Sequence, residues 1–272
     1  MLTGMYALPR RGFLFAGAAA LVTRLAGQQP SRESLIDDVV TANHILAAQE
    51  IVDAFGHVSI RIAPEAGRYL ISRSVAPAQV TAADIMELDL DSKPVGADKR
   101  TSYRERFIHG EIYRVRPDVM SIVHCHAPAL IPFGITKVPL RPVYHNSSFV
   151  GEGVPVFEIR EAGADTNMLV ETPALGRALA KALGNKPAIL MRGHGAAIVG
   201  KSVIEAVARS VYLEVNARVQ AQAMAMGQRV TYLDEGEVKK RSEDPDPYGR
   251  AWDLWKRQAL QGDRQGDRQG GR

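Results

Sequence analysis

Ser121-Ile122-Val123-His124-Cys125-His126 is a short apolar run that ends in two histidines with one residue between them. Residues two apart on a strand point to the same face, so both imidazoles can reach one ion while Cys125 faces the other side. Ala127-Pro128 follows directly, which argues against an exposed strand. Burying two neutral imidazoles without partners is costly, and metal ligation satisfies them. Cys125, the single cysteine of the chain, reads as a small buried residue and allows no intrachain disulfide.

Outward from this run, Ile189-Leu190-Met191 leads into the turn Gly193-His194-Gly195, and Ala196 to Val199 leaves it. Glycine on both sides lets the backbone approach a neighbour closely and lets the ring project inward. With His124 and His126, His194 completes a three-histidine set that leaves one position open for water or substrate. Glu105 and His109 lie four apart on a helix expected from Tyr103 to Val115 and share a face. The residues alone leave that pair open between a solvated pair and an acid/base or fourth ligand. His57, after the Gly56 break, starts a strand and can line a pocket. Arg73 lies between two serines, where its planar fork suits a carboxylate. Tyr103, His145 in the polar cluster His145-Asn146-Ser147-Ser148, and Glu152 are further candidates for substrate contact. His44 reads as structural.

Helical spacing runs from about Ser34 to Asp53, with Leu35, Val39, Ala42, Ile45 and Leu46 on one side. Strands are expected at His57–Arg61, Tyr69–Ser72 and Met86–Leu90, with Thr81 and Asp84 capping a helix between the last two. Residues 128–155 are proline-marked and expected to cross the surface irregularly. Thr172-Pro173 opens a helix that stops at Gly184. Ser202 and Glu205 cap a long helix to about Met226, with Val203, Val207, Val211, Val215 and Val219 down one stripe. A short helix carries Trp252 and Trp255, and Gln261–Arg272 repeats Gln-Gly-Asp-Arg, a low-complexity tail expected to be disordered. The divisions are 1–28, 29–240, a helical extension 241–260, and 261–272. Strands and helices without a strict βαβ rhythm and without GxGxxG exclude a dinucleotide fold.

The 272 residues are 46% hydrophobic and 24% charged, a globular profile able to bury a core without disulfides or structural metal. Of the net charge of +4, three positive charges are Arg10, Arg11 and Arg24 in residues 1–28, which hold no acid. The rest carries +1, so nucleic acid is not an expected partner. Arg10-Arg11-Gly12-Phe13-Leu14 runs into the apolar stretch Phe13 to Val22, short of the about 20 residues that span a bilayer. No stable membrane span is expected. Small residues follow at Ala26-Gly27, and the segment resembles a twin-arginine (Tat) signal peptide for export to the periplasm.

His124-x-His126, His194 within Arg192-Gly193-His194-Gly195, and Arg104-Glu105-Arg106-Phe107-Ile108-His109 followed by Arg116-Pro117-Asp118 resemble the class II aldolase/adducin family. The similarity runs from about Leu35 to Val230. It implies an α/β fold, a three-layer α/β/α sandwich around a mostly antiparallel sheet, often assembled as a homotetramer with sites near subunit interfaces. It also implies a divalent metal on His124, His126 and His194, usually zinc, with manganese and cobalt also suited to such a site. Glu105 then stands as the acid/base, also touching the metal.

Sugar-phosphate aldolases of the family carry serines just before the glutamate and an asparagine in a Gly-Asn-Val-Ser turn. Here those places hold Tyr103-Arg104 and Gly56-His57-Val58-Ser59. Asp53–Ser59 with Ser72-Arg73-Ser74 looks closer to decarboxylases of hydroxylated aromatic or sugar acids. The expected activity is that of a divalent-metal-dependent lyase. It cleaves a carbon–carbon bond of a small hydroxylated carboxylic acid, as decarboxylase or aldolase. The charge is stabilised as a metal-held enolate or phenolate, and Glu105 moves the proton. The alternatives are a metal-dependent sugar epimerase, and a non-catalytic binding module like the adducin head, whose domains lack the metal histidines.

Overall fold

Alternation along each strand builds the two faces of a single sheet. The computed structural model describes residues 30–163, 165–244 and 248–269; the twin-arginine segment 1–28 lies outside the described residues. The strands are β1 (His57–Arg61), β2 (Arg68–Ser72), β3 (Ile85–Asp89), β4 (Ser121–Cys125), β5 (Val156–Phe157), β6 (Ala188–Met191) and β7 (Gly195–Gly200). Their order is β3-β2-β1-β4-β7-β6-β5. Neighbours are antiparallel except β5 and β6, which are parallel.

The helices are α1 (Arg32–Ala48), α2 (Phe107–Val115), α3 (Ile131–Ile135), α4 (Pro173–Leu183), α5 (Val203–Ala225), α6 (Glu235–Ser242) and α7 (Gly249–Gln269). Val58, Ile60, Val123, Cys125, Leu190 and Ile198 face α1, α5 and α7 in one core. Tyr69, Ile71, Ile122, Ile189 and Val199 face α2 and α4 in the other. The architecture is therefore the three-layer α/β/α sandwich that the resemblance implies. Cys125 packs among α1- and α5-side residues, away from the face that carries His124.

Several local expectations change. Tyr103–Val115 is not one helix: a 3-10 turn, Arg104–Arg106, precedes α2, and Glu105 sits at φ −88°, ψ 19°, outside helical geometry. Glu105 and His109 therefore do not share a helical face. The Thr81–Asp84 cap closes only a single 3-10 turn. Down α5, Val203, Val207 and Val211 are buried but Val219 is 39% exposed. At 3.6 residues per turn, each i→i+4 step drifts about 40° around the helix. The buried face passes instead to Asn216, Ala217 and Gln220.

Those two amides hold the middle segment. Asn216 accepts from Val143 N and donates to Arg141 O; Gln220 accepts from Arg141 N and donates to Pro139 O. Residues 128–155 are thus tied to α5 rather than loose over the surface. The backbone of α7 continues to Gln269, into the repeat read as a disordered tail. Gln and Arg are good helix formers, so the repeat does not stop the helix. Trp252 and Trp255 join the α1-side core, so the C-terminal extension is part of the fold.

Candidate active site

Strand register assembles the histidines. His57 on β1 is the cross-strand partner of His124 on β4, and His124 is paired on its other side with Ala197 of β7. β4 ends at Cys125 and His126 follows on the same face as His124. His194 reaches the cluster from the turn before β7. That turn depends on Gly195, where a β-carbon would fall 2.0 Å from the Cys125 carbonyl oxygen. Only glycine lets β7 start so close to β4.

His124 Nδ1 donates to Ala196 O at 3.0 Å, and His194 Nδ1 donates to Met168 O at 2.9 Å. A carbonyl oxygen only accepts, so both neutral rings carry their proton on Nδ1 and turn a bare Nε2 inward. Those atoms stand 3.1 and 3.0 Å from His126 Nε2. In the neutral cluster at most one of the two contacts is a hydrogen bond. A cation between the rings satisfies all three lone pairs at once. Nitrogens sharing a tetrahedral ion at about 2.0–2.1 Å stand roughly 3.3 Å apart, close to the spacing here. The residues present fit a divalent metal.

Glu105 closes the cluster. Its Oε1 accepts from the Val170 amide at 2.8 Å, and its Oε2 lies 3.4 Å from His124 Nε2 and 3.3 Å from His194 Nε2. One ligand atom from each of Glu105, His124, His126 and His194 falls within 4.8 Å of every other. Burial pushes the Glu105 carboxyl up, and His124 and His194, when protonated at Nε2, outweigh it and hold the group below the usual carboxylate range. Burial pulls His194 down, and Glu105 beside it more than reverses this, leaving it raised. His126 is lowered to about 4, first by burial and then by its histidine neighbours.

The remaining expected site residues divide. The His57 ring lies 4.5 Å from Tyr103 and 5.0 Å from His124, centroid to centroid. Tyr103 contributes only its ring, because its hydroxyl donates to Val75 O and meets Ser72 Oγ. Arg73 is about half exposed and its Nε donates to Asp84 at 2.6 Å. His145 is exposed on the 3-10 turn His145–Val150 and lines a separate groove with Leu233 and Lys240. Glu152 is a surface partner of Lys186.

Some contributions carried no sequence signal. The backbone of 168–170 supplies both the carbonyl on His194 and the amide on Glu105. Met168 pays for that geometry with φ 73°, the left-handed region uncommon for a residue with a β-carbon. Ser59 and Tyr113 were also silent, yet with His109 they form a buried chain of hydrogen bonds to His57.

A model of the class II aldolase and adducin N-terminal domain matches residues 37–221. The chain belongs to this family. The chain is 32% identical over 247 residues to decarboxylase tropJ of Talaromyces stipitatus, covering 82% of this chain and 93% of that one. It is 30% identical over 217 residues to 3,4-dihydroxyphthalate decarboxylase of Terrabacter sp., covering 75% and 85%. Among solved structures, an aldolase II superfamily protein from Pseudomonas syringae superposes with a TM-score of 0.71 at 21% identity, covering 86% and 95%; this likeness concerns the fold. The similarity to two decarboxylases supports an enzyme. No helix among the described residues is long and apolar enough to cross a membrane.

Proposed function

We propose that this member of the family is a metal-dependent carbon–carbon lyase that decarboxylates a small hydroxylated aromatic acid. The observation that carries the reading is the convergence of three histidine Nε2 atoms and Glu105 Oε2 within 4.8 Å. His124, His126 and His194 would hold the ion, with Glu105 beside them. A divalent ion bound there supplies Lewis-acid stabilisation of the negative charge that develops on the substrate oxygen. The similarity to two decarboxylases supports carbon dioxide as the leaving fragment.

The chain's own residues then have separable tasks. Glu105 is the carboxylate beside the three Nε2 atoms, and its Oε2 accepts the proton of the substrate hydroxyl. The bond to the carboxylate carbon breaks, carbon dioxide leaves, and its electron pair stays on the ring. Glu105 returns the proton to that ring carbon, and water reprotonates the substrate oxygen afterwards. The Val170 amide keeps the carboxylate in one rotamer through both transfers. His57 and the Tyr103 ring wall this space, and His57 is the group placed to meet the leaving carboxylate. Arg73, committed to Asp84, takes no part in this step.

The test is metal content together with carbon dioxide release from 3,4-dihydroxyphthalate and related hydroxybenzoates, for the wild type and for His124→Ala/His126→Ala. About one divalent ion per chain and turnover, both lost in the variant, is the expected result. A folded, metal-exposed protein that takes up no ion overturns the reading. Export by the twin-arginine route belongs to the same proposal and rests on Arg10-Arg11 before the stretch Phe13 to Val22. Arg10→Lys/Arg11→Lys should leave the protein in the cytoplasm of a bacterial host. Assembly as a homotetramer is likewise proposed, on the family resemblance, and sedimentation of the purified chain decides it.

A further inference from the structure

His57 is one end of a buried chain of four groups. Its Nδ1 lies 2.7 Å from His109 Nε2, His109 Nδ1 lies 2.6 Å from Ser59 Oγ, and Ser59 Oγ lies 2.8 Å from the Tyr113 hydroxyl. All four residues are at most 4% exposed. No carboxylate hydrogen-bonds to either imidazole among the described residues, so burial favours the neutral form of both rings. A chain of neutral groups that runs through Ser59 has two directions; the remaining arrangement, with Ser59 Oγ accepting from both Tyr113 and His109, leaves the Ser59 hydroxyl proton without an acceptor among the described residues.

If protons point towards Tyr113, its hydroxyl accepts from Ser59 and its own proton has no acceptor among the described residues. A buried O–H without a partner is costly. If protons point away from Tyr113, Tyr113 gives to Ser59, Ser59 to His109 Nδ1, and His109 Nε2–H to His57 Nδ1, and the one donor left over is His57 Nε2–H. Only this second direction puts the leftover donor at the open end of the chain rather than on the buried Tyr113 hydroxyl. It leaves His57 with a bare Nδ1 and a proton on Nε2. His57 Nε2 is not among the buried polar atoms that lack a partner, so it is the edge of the ring that remains accessible, beside His124 and Tyr103.

We propose that His57 presents a fixed, neutral Nε2–H donor to the substrate carboxylate, and that Tyr113, Ser59 and His109 are positioning residues that hold it in this tautomer. The proposal rests on the decarboxylase reading for the identity of the acceptor. Its chemical sense follows from the fate of that carboxylate, which starts as an anion and leaves as neutral carbon dioxide. A cation at this place stabilises the starting charge more than the departing one and so slows the step. A neutral donor orients the group without that penalty. A donor that cannot invert also selects an acceptor oxygen at this position and disfavours an amide N–H.

The experiment is long-range proton–nitrogen correlation on the full chain, labelled with 15N-histidine and loaded with zinc, with His57→Gln and His109→Gln for assignment. The expected spectrum shows His57 protonated at Nε2 and bare at Nδ1; the reverse tautomer, or a doubly protonated ring, overturns the proposal. Ser59→Ala removes the donor to His109 and should move the His57 proton to Nδ1, while Ser59→Thr restores the original pattern. An unchanged spectrum in Ser59→Ala removes the positioning role. On whichever acid the wild type decarboxylates, Ser59→Ala should lower kcat/KM by about ten- to a hundredfold, with recovery in Ser59→Thr. If the wild type releases carbon dioxide from no acid, the decarboxylase reading fails, and the spectra still decide the tautomer.

Discussion

The Val170 amide donates to Glu105 Oε1 at 2.8 Å, and this bond divides the carboxylate into a held oxygen and a working one. Oε2 alone faces the Nε2 atoms of His124 and His194, at 3.4 and 3.3 Å. Glu105→Gln keeps an oxygen for Val170 but turns an uncharged amide towards the histidines. Turnover should fall by about 10²–10⁴-fold, with melting shifted by only a few degrees. Activity within about tenfold of the wild type would remove Glu105 from the proton-transfer role.

Buried imidazoles make the fold sensitive to acid. Burial holds His109 at about 3, against about 6.5 in an unfolded chain. Above about pH 6.5 neither state is charged at this residue and the term vanishes. Below it the unfolded chain takes up a proton that the folded one refuses, so stability is lost as pH falls from about 6.5 towards 3, by up to about 1.4 kcal/mol per pH unit. Urea unfolding of wild type and His109→Gln across this window checks the sign. The variant should show the shallower loss, and equal slopes would refute the assignment.

Two glycines flank His194, and substitution separates their roles. At Gly193, φ 62°, the nearest side-chain atoms to an added β-carbon are 3.5 Å or more away, so Gly193→Ala should cost about 1–2 kcal/mol of backbone strain. At Gly195 the β-carbon would lie 2.0 Å from Cys125 O, and no rotamer relieves that. Gly195→Ala should cost more than about 4 kcal/mol and pull His194 away from His126. Thermal melting with metal titration distinguishes the two; equal melting points would contradict the close approach of β4 and β7.

Asn216 is fully buried on α5 and bridges Val143 N and Arg141 O. Asn216→Ala leaves both backbone groups without their partner and should destabilise by about 2–4 kcal/mol. Hydrogen exchange should accelerate first at Arg141 and Val143. Unchanged protection there would show that the middle segment is held by other contacts.

Periodicity explains which parts were legible. The alternation in Ser121–Cys125 already separated His124 from Cys125, because side chains on a strand have a period of two. The two cores keep them apart. Residues 128–155 have no period, and what orders them is a pair of amides on α5, more than 70 positions away. Glu105 looked helical from its neighbours, but the Val170 amide and the histidines hold it in a 3-10 turn.

Local pattern therefore determined where most strands and helices of this protein lie, the types of its candidate ligands and the motifs that carry the family resemblance. These follow from short-range periodicity and side-chain chemistry, both readable along the chain. The tertiary structure alone decided which oxygen of Glu105 works, why Arg73 turns to Asp84, and how Tyr113, Ser59 and His109 reach His57. Each depends on hydrogen bonds between residues distant in sequence. Such bonds are set by sheet register and packing, and a register has no local signature in either of the strands that share it.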